Sequence, residues 1–188
     1  DHYVLRMLYS QGLRYEQLLA TDDPRRVWQL FADNFYLFHA TPSGLWLAHE
    51  LAAIFSVQEK LNGASAQGIY DQIEAALASP SYRPRALFER LNIEVLATTD
   101  AATDTLAHHQ AIRASGWRGR IIPTFRPDGV VNLQAPGWRQ NIDTLAAVSG
   151  EDVTDYGSYI RALEGRRSFF RSLGATATDV SALTAATA

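Results

Sequence analysis

Three short apolar runs, each breaking off into polar residues and separated from the next by helical patterns, constrain this chain most. Asn92-Ile93-Glu94-Val95-Leu96-Ala97 runs into Thr98-Thr99-Asp100. Gly119-Arg120-Ile121-Ile122-Pro123-Thr124-Phe125 runs into Arg126-Pro127-Asp128, and Gly174-Ala175-Thr176-Ala177-Thr178 into Asp179. A strand buried on both faces reads as a continuous apolar run, and the residues that follow it lie at its C-terminal end. The intervening patterns, about 103–115, 137–149 and 155–173, carry apolar residues at helical spacing, among them Leu106, Ile112, Trp138, Leu145, Ile160 and Phe170. Strands alternating with helices of this length imply βαβ units and a parallel sheet, whose chemistry sits at the C-terminal strand ends. Gly174 suits the C-cap of the last helix.

Upstream, residues 1–91 read as almost wholly helical. Asp23-Pro24 and Thr41-Pro42 each place a capping side chain before a proline, the pattern of a helix start. The first of these helices is expected to carry Val27, Trp28, Phe31, Phe35 and Leu37 as far as Thr41; the second carries Leu45, Trp46, Leu51, Ile54 and Phe55. Ser65 opens another helix that Pro80 ends, and Arg83-Pro84 opens a short one. Aromatic residues at this spacing are read as core. The expected organisation is a helical subdomain at 1–91 and a βαβαβ portion at 92–188. Three strands cannot close a barrel, so the α/β part is expected to belong to a larger fold.

The totals exclude several classes. With 188 residues, 47% of them hydrophobic, the chain can bury a core. A formal charge of −3 without a basic block argues against nucleic acid and anionic membranes as partners. No cysteine is present, which removes disulfides and thiolate metal sites and fits a reducing compartment. No apolar run approaches the roughly 20 residues that span a bilayer. The chain starts at Asp1 with neither an initiator Met nor a leader, and is expected to begin partway into a longer protein.

Among the polar strand ends, Arg126-Pro127-Asp128 reads in two ways. Its guanidinium either binds an anionic ligand bidentately or pairs with Asp128 for structure. Thr98-Thr99-Asp100 either forms a site or supplies the cap of the next helix, and Asp179 either orients a ligand or caps a loop. His108 and His109 are adjacent on a helix, so they point about 100° apart and cannot chelate one ion together; they face solvent or support a site from behind. Asp1-His2-Tyr3 holds two groups capable of proton transfer. No phosphate loop, GxSxG or HExxH occurs, and His39, His49 and Glu50 do not make a metal spacing.

Taken in order, Asp1-His2-Tyr3 with Arg6-Met7 and Gly12, Pro42…Trp46…Glu50-Leu51…Phe55 and Pro84-Arg85-Ala86-Leu87-Phe88 carry a resemblance. It continues through Asn92-Ile93-Glu94-Val95, Thr98-Thr99-Asp100 with His108-His109, Phe125-Arg126-Pro127-Asp128, and Gly174-Ala175 with Thr178-Asp179. The chain resembles the uronate isomerase (glucuronate/galacturonate isomerase) family of the amidohydrolase-type TIM-barrel superfamily. The resemblance implies a partial (β/α)8 barrel, about strands 2–4, preceded by the helical insertion. It implies aldose–ketose isomerisation of D-glucuronate to D-fructuronate, and of D-galacturonate to D-tagaturonate, through an enediol. Tyr3 and Asp179 match catalytic positions; Arg126 matches the arginine that takes the uronate carboxylate, with His2 near the substrate and Thr99 supporting it.

A divalent metal, zinc foremost, is implied for the full-length enzyme, with its ligands outside this chain: a His-x-His pair upstream and an Asp downstream. The segment alone is therefore expected to be inactive. Where the family has His-Gly or His-Ala after the Asp179 position, Val180-Ser181 stands here, either as a substitution or as a junction of missing residues. The expected partners are a hexuronate sugar and further copies of the chain, and the expected location is the cytoplasm. A metal-dependent hydrolase of the same superfamily and a non-catalytic helical interaction module are the alternatives; an exposed apolar groove on 1–91 together with indifference of the rest to sugars would mark the latter.

Overall fold

The computed structural model describes residues 2–14, 16 and 23–181, and their side chains except those of His2 and Tyr3. The chain divides into two compact units, Asp1–Leu87 and Phe88–Ala188.

Every described regular element of the first unit is helical. α1 (His2–Ser10) buries Leu8, and Val4 and Met7 pack against the unit's core. α2 (Pro24–Asp33) starts where the sequence places it: the Asp23 carboxylate accepts the Arg25 N–H at 3.0 Å, with proline in the first turn. This helix stops short of the expected Leu37. The Asn34 side chain donates to the Leu30 carbonyl at 2.8 Å, so a side chain takes a carbonyl that helical backbone would otherwise use, and the chain tightens into a 3₁₀ turn at Phe35–Phe38. α3 (Pro42–Ala53) is capped by Thr41, whose hydroxyl accepts the Gly44 N–H at 3.1 Å. α4 (Ala66–Leu77) follows Ser65, and a 3₁₀ turn at Pro80–Tyr82 leads into α5 (Pro84–Arg90). Phe31 lies edge-on to both Phe35 and Phe38, with centroids at 5.5 and 5.6 Å, and these rings close the core with Val57, Leu61 and Ile69.

The second unit holds the sheet. β1 (Val95–Ala101) and β2 (Arg120–Arg126) pair in parallel, with Thr99 opposite Thr124 and Ala101 opposite Arg126. α6 (Ala107–Ala114) makes the crossover, shorter than the expected 103–115 because the chain first turns through Asp104. There the Asp104 carboxylate accepts the Leu106 N–H at 2.6 Å, and Leu106 takes a left-handed conformation with φ 53°. After β2 come α7 (Asp128–Val131), a single turn that the apolar pattern does not announce, then α8 (Trp138–Ser149) and α9 (Tyr156–Ser172). A capping box starts α9: Asp155 accepts the Ser158 N–H at 2.7 Å and donates its own N–H to the Ser158 hydroxyl at 3.0 Å. α9 ends in a Schellman motif, with Ala175 N–H on the Phe170 carbonyl, Gly174 N–H on that of Arg171, and Gly174 at φ 103°.

The third apolar run departs from expectation. Residues 174–178 do not form a strand; Thr178 makes an isolated parallel bridge to Phe125, with Phe125 N–H on the Ala177 carbonyl and Asp179 N–H on that of Phe125. Gly, Ala and Thr supply little side chain to pack, and among the described residues the segment is paired on one side only. Its position is nevertheless that of a third parallel strand beside β2. Phe125 meets Phe170 of α9 edge-to-face at 5.1 Å, inside a core that includes Leu106, Val130, Leu145 and Ala162. No helix among the described residues is long and apolar enough to cross a membrane.

Candidate active site

Side chains alternate across a strand, and Phe125 points into the helix-facing core, so Asp100 and Thr98 lie on that side of the sheet. Thr99, Thr124 and Arg126 lie on the other. The candidate site is assembled on this second face, where β2 and the segment after it end together.

Arg126 is its centre. Its Nε donates to Asp128 Oδ2, and its Nη1 lies 3.3 Å from Asp179 Oδ2. Pro127 limits the backbone freedom between the two partners of the first contact. The other oxygen of Asp128 accepts the Ser181 N–H at 2.8 Å and the Ser181 hydroxyl at 3.2 Å. Arg126 and Asp179 are each about half-exposed, while Asp128 is more enclosed. The hydrogen bond from Arg126 holds the Asp128 carboxyl below the usual carboxylate range, reinforced by the Ser181 N–H, and Asp128 in turn raises the arginine further above neutrality. Among the described residues no side chain takes Nη2, so the outer edge of the guanidinium can still meet an incoming carboxylate.

The helix-facing side of β1 carries a separate polar group. Thr98 Oγ1 donates to Asp100 Oδ2 at 2.6 Å and lies 2.8 Å from His109 Nε2. A hydroxyl has one hydrogen; with that given to Asp100, the histidine must donate, which assigns a hydrogen to Nε2. Of the adjacent pair, His108 faces solvent and His109 is 9% exposed. The sequence reading of both histidines as outward or supporting therefore splits between them.

Beneath the loop after β1, Arg166 of α9 is buried, and among the described residues no carboxylate lies within ion-pair distance of it. Its guanidinium donates to the carbonyls of Ala102 (2.9 Å), Val148 (3.3 Å) and Asp104 (2.5 Å) and stacks 4.4 Å from the Phe169 ring. Burial lowers its pKa. It ties the β1–α6 loop and the end of α8 to α9, a role with no signal in local sequence.

The sequence-derived residues fare differently. Arg126 and Asp179 are brought together. Thr99 is exposed on the Arg126 face, two residues before the register partner of Arg126. The Asp128 pairing, the alternative reading of Arg126, forms as well. The side chains of His2 and Tyr3 lie outside the described residues. Among those described, no three His, Asp or Glu side chains converge as a metal group. The carboxylates of Asp128 and Asp179 share one guanidinium, which does not fit a zinc donor set.

The first unit carries an open, mostly apolar groove of about 950 Å³ lined by Phe38, Leu45, Trp46, Leu51 and Val57, with Leu45 71% and Trp46 68% exposed.

A parallel βαβ unit with a paired guanidinium and carboxylate at its strand ends defines a piece of an α/β protein whose polar groups gather where such folds place their sites. The family model for glucuronate isomerase matches residues 1–188, and the chain belongs to that family. Uronate isomerases of Nostoc punctiforme and Rhizorhabdus wittichii are 52% and 50% identical, over 98% and 100% of this chain. The chain spans only 40% and 41% of their lengths. Among solved structures, glucuronate isomerase from Caulobacter crescentus superposes with a TM-score of 0.90 at 44% identity over 96% of this chain and 39% of that one. Uronate isomerase from Thermotoga maritima gives 0.86 at 26% identity, over 96% and 40%.

Proposed function

We propose that this segment contributes substrate-binding and proton-transfer groups to a uronate isomerase, which converts D-glucuronate to D-fructuronate and D-galacturonate to D-tagaturonate. The observation that carries the reading is Arg126, fixed at the end of a parallel strand with Asp179 at 3.3 Å, within a chain that matches the family along its whole length. In the reaction the hydrogen on C2 leaves as a proton, O1 gains and O2 loses one, and C1 receives a proton, with no net change of oxidation state. Arg126 takes the substrate carboxylate through the outer edge of its guanidinium. Asp179 is assigned a catalytic role from family resemblance, and Thr99 offers a hydroxyl on the Arg126 face of the sheet. Tyr3 is assigned to proton transfer or enediol stabilisation and His2 to the substrate's vicinity, both from family resemblance alone. The divalent metal implied by the family, zinc foremost, would polarise sugar oxygens, and family resemblance puts its ligands in a His-x-His pair upstream and an Asp downstream of this segment.

We also propose that the sheet continues into a (β/α)8 barrel. Supporting this, the pairing is parallel throughout, the 177–179 segment extends it, and β1 leaves Val95 38% and Leu96 40% exposed on a strand whose outer edge is unpaired among the described residues. Homo-oligomer formation and a cytoplasmic location complete the proposal; the groove around Leu45 and Trp46 offers apolar surface for the former. A thermal-shift series on the full-length enzyme carrying this segment tests the substrate class. D-glucuronate should raise the melting temperature where glucose does not, and equal shifts would overturn it.

A further inference from the structure

We propose that Asp128 is a positioning residue for carboxylate recognition: it clamps Arg126 through Nε and is itself held by Ser181, so that the Nη edge of the guanidinium stays aimed at the substrate. This deepens the reading above and rests on it. An arginine at a half-exposed strand end has a long, rotatable stem, and bidentate recognition of a carboxylate requires its plane to be fixed beforehand. Two features do so here. Arg126 Nε is taken by Asp128 Oδ2, the one guanidinium position that a ligand approaching the Nη1–Nη2 edge does not need. Asp128 Oδ1 accepts both the N–H and the hydroxyl of Ser181, so the clamp is braced from the segment that follows Asp179. The contact to Asp179 differs in kind: it is 3.3 Å long, involves Nη1 and joins two side chains that are 40% and 48% exposed. Asp179 therefore faces the ligand side, and Asp128 the protein side, of the same guanidinium. Asp128 remains ionised throughout the neutral range because Arg126 and Ser181 both stabilise its charged form.

The same brace links the end of β2 to the 179–181 segment and, together with the Asp179 N–H on the Phe125 carbonyl, holds Asp179 beside Arg126. A loss of aim should therefore show first in the binding of the carboxylate rather than in the chemical step.

The test uses the full-length enzyme carrying this segment and the variants Asp128→Ala, Asp128→Asn and Arg126→Ala. With D-glucuronate as substrate, Asp128→Ala is expected to raise KM at least tenfold while kcat falls less than about threefold. As competitive inhibitors, D-gluconate should weaken at least tenfold and the neutral alditol sorbitol should not. Asp128→Asn, which keeps size and one acceptor, should fall between wild type and alanine, and a melting temperature measured alongside checks that the variants fold. A KM unchanged in both Asp128 variants, or gluconate and sorbitol weakened equally, would overturn the inference. The reading beneath it fails separately: if Arg126→Ala leaves the KM for glucuronate unchanged, Arg126 is not the carboxylate ligand at all.

Discussion

Arg166 offers a sharp energetic test of how the strand ends are held. Its guanidinium makes three hydrogen bonds to backbone carbonyls, two of them in the loop that follows β1, and its side chain is buried against Phe169 and Phe170. Hydrogen bonds from a charged donor contribute roughly 1.5–3 kcal/mol each, and an orphaned buried acceptor costs about 1–3 kcal/mol. These terms do not add in full, because water can reach some of the carbonyls and methionine recovers part of the apolar contact. We therefore expect Arg166→Met to destabilise the second unit by about 4 kcal/mol. Arg166→Lys keeps the charge, but a single ammonium cannot span carbonyls spread across Ala102, Asp104 and Val148 as the planar fork does, so a loss of about 2 kcal/mol is expected. Native-state hydrogen exchange gives the local readout. The Ala102 N–H bonds to the Arg126 carbonyl at 2.9 Å and the Asp104 N–H to that of Ala101 at 2.8 Å, both in the loop that Arg166 ties down. At about 1.4 kcal/mol per tenfold, the lysine variant should lose roughly 30-fold in protection at these amides and the methionine variant more. If Arg166→Met changes protection at Ala102 and Asp104 by less than about threefold, the account of Arg166 as the tie is wrong.

Further expectations concern the other polar groups and the helical unit. Thr98→Val should cost about 1–3 kcal/mol by leaving Asp100 and His109 without their shared hydroxyl, whereas Thr98→Ser should cost less than half of that; equal losses in urea denaturation would remove the hydrogen bonds from the explanation. The folded pKa of Asp128 is depressed, so its contribution is present above the ordinary carboxylate value near 4 and is lost as pH falls through the lower folded value. The stability gap between wild type and Asp128→Asn should accordingly narrow as the pH falls below about 4, and a gap that widens there would contradict the sign. In the first unit, a Cβ on Gly44 would lie 2.1 Å from the Phe38 carbonyl oxygen, so Gly44→Ala should lower the denaturation midpoint by the equivalent of about 1–3 kcal/mol.

Much of the scaffold was legible because its signals are local. Asp23-Pro24 and Thr41-Pro42 cap helices as read, and the first two apolar runs are the two parallel strands. The misreadings share a cause: competition decided by partners distant in sequence or by short polar side chains. Asn34 takes a helical carbonyl and ends α2 early, and the Gly-Ala-Thr run lacks side-chain bulk and, among the described residues, a second neighbour, so it stays a bridge. At the site, Arg126 and Asp179 were visible as polar residues following apolar runs, and their approach follows from parallel topology. The inward turn of His109 onto Thr98, the brace from Ser181 to Asp128 and the carbonyl cage of Arg166 join residues 11, 53 and up to 64 positions apart, which no short pattern encodes.

The central claim is that Arg126 receives the carboxylate of a hexuronate. Its most direct measurement is the KM for D-glucuronate of Arg126→Lys in the full-length enzyme carrying this segment, taken beside its melting temperature. Lysine keeps the charge and loses the fork, so KM should rise at least tenfold with the melting temperature within a few degrees of wild type. A KM that stays at the wild-type value in a folded Arg126→Lys enzyme would contradict the claim.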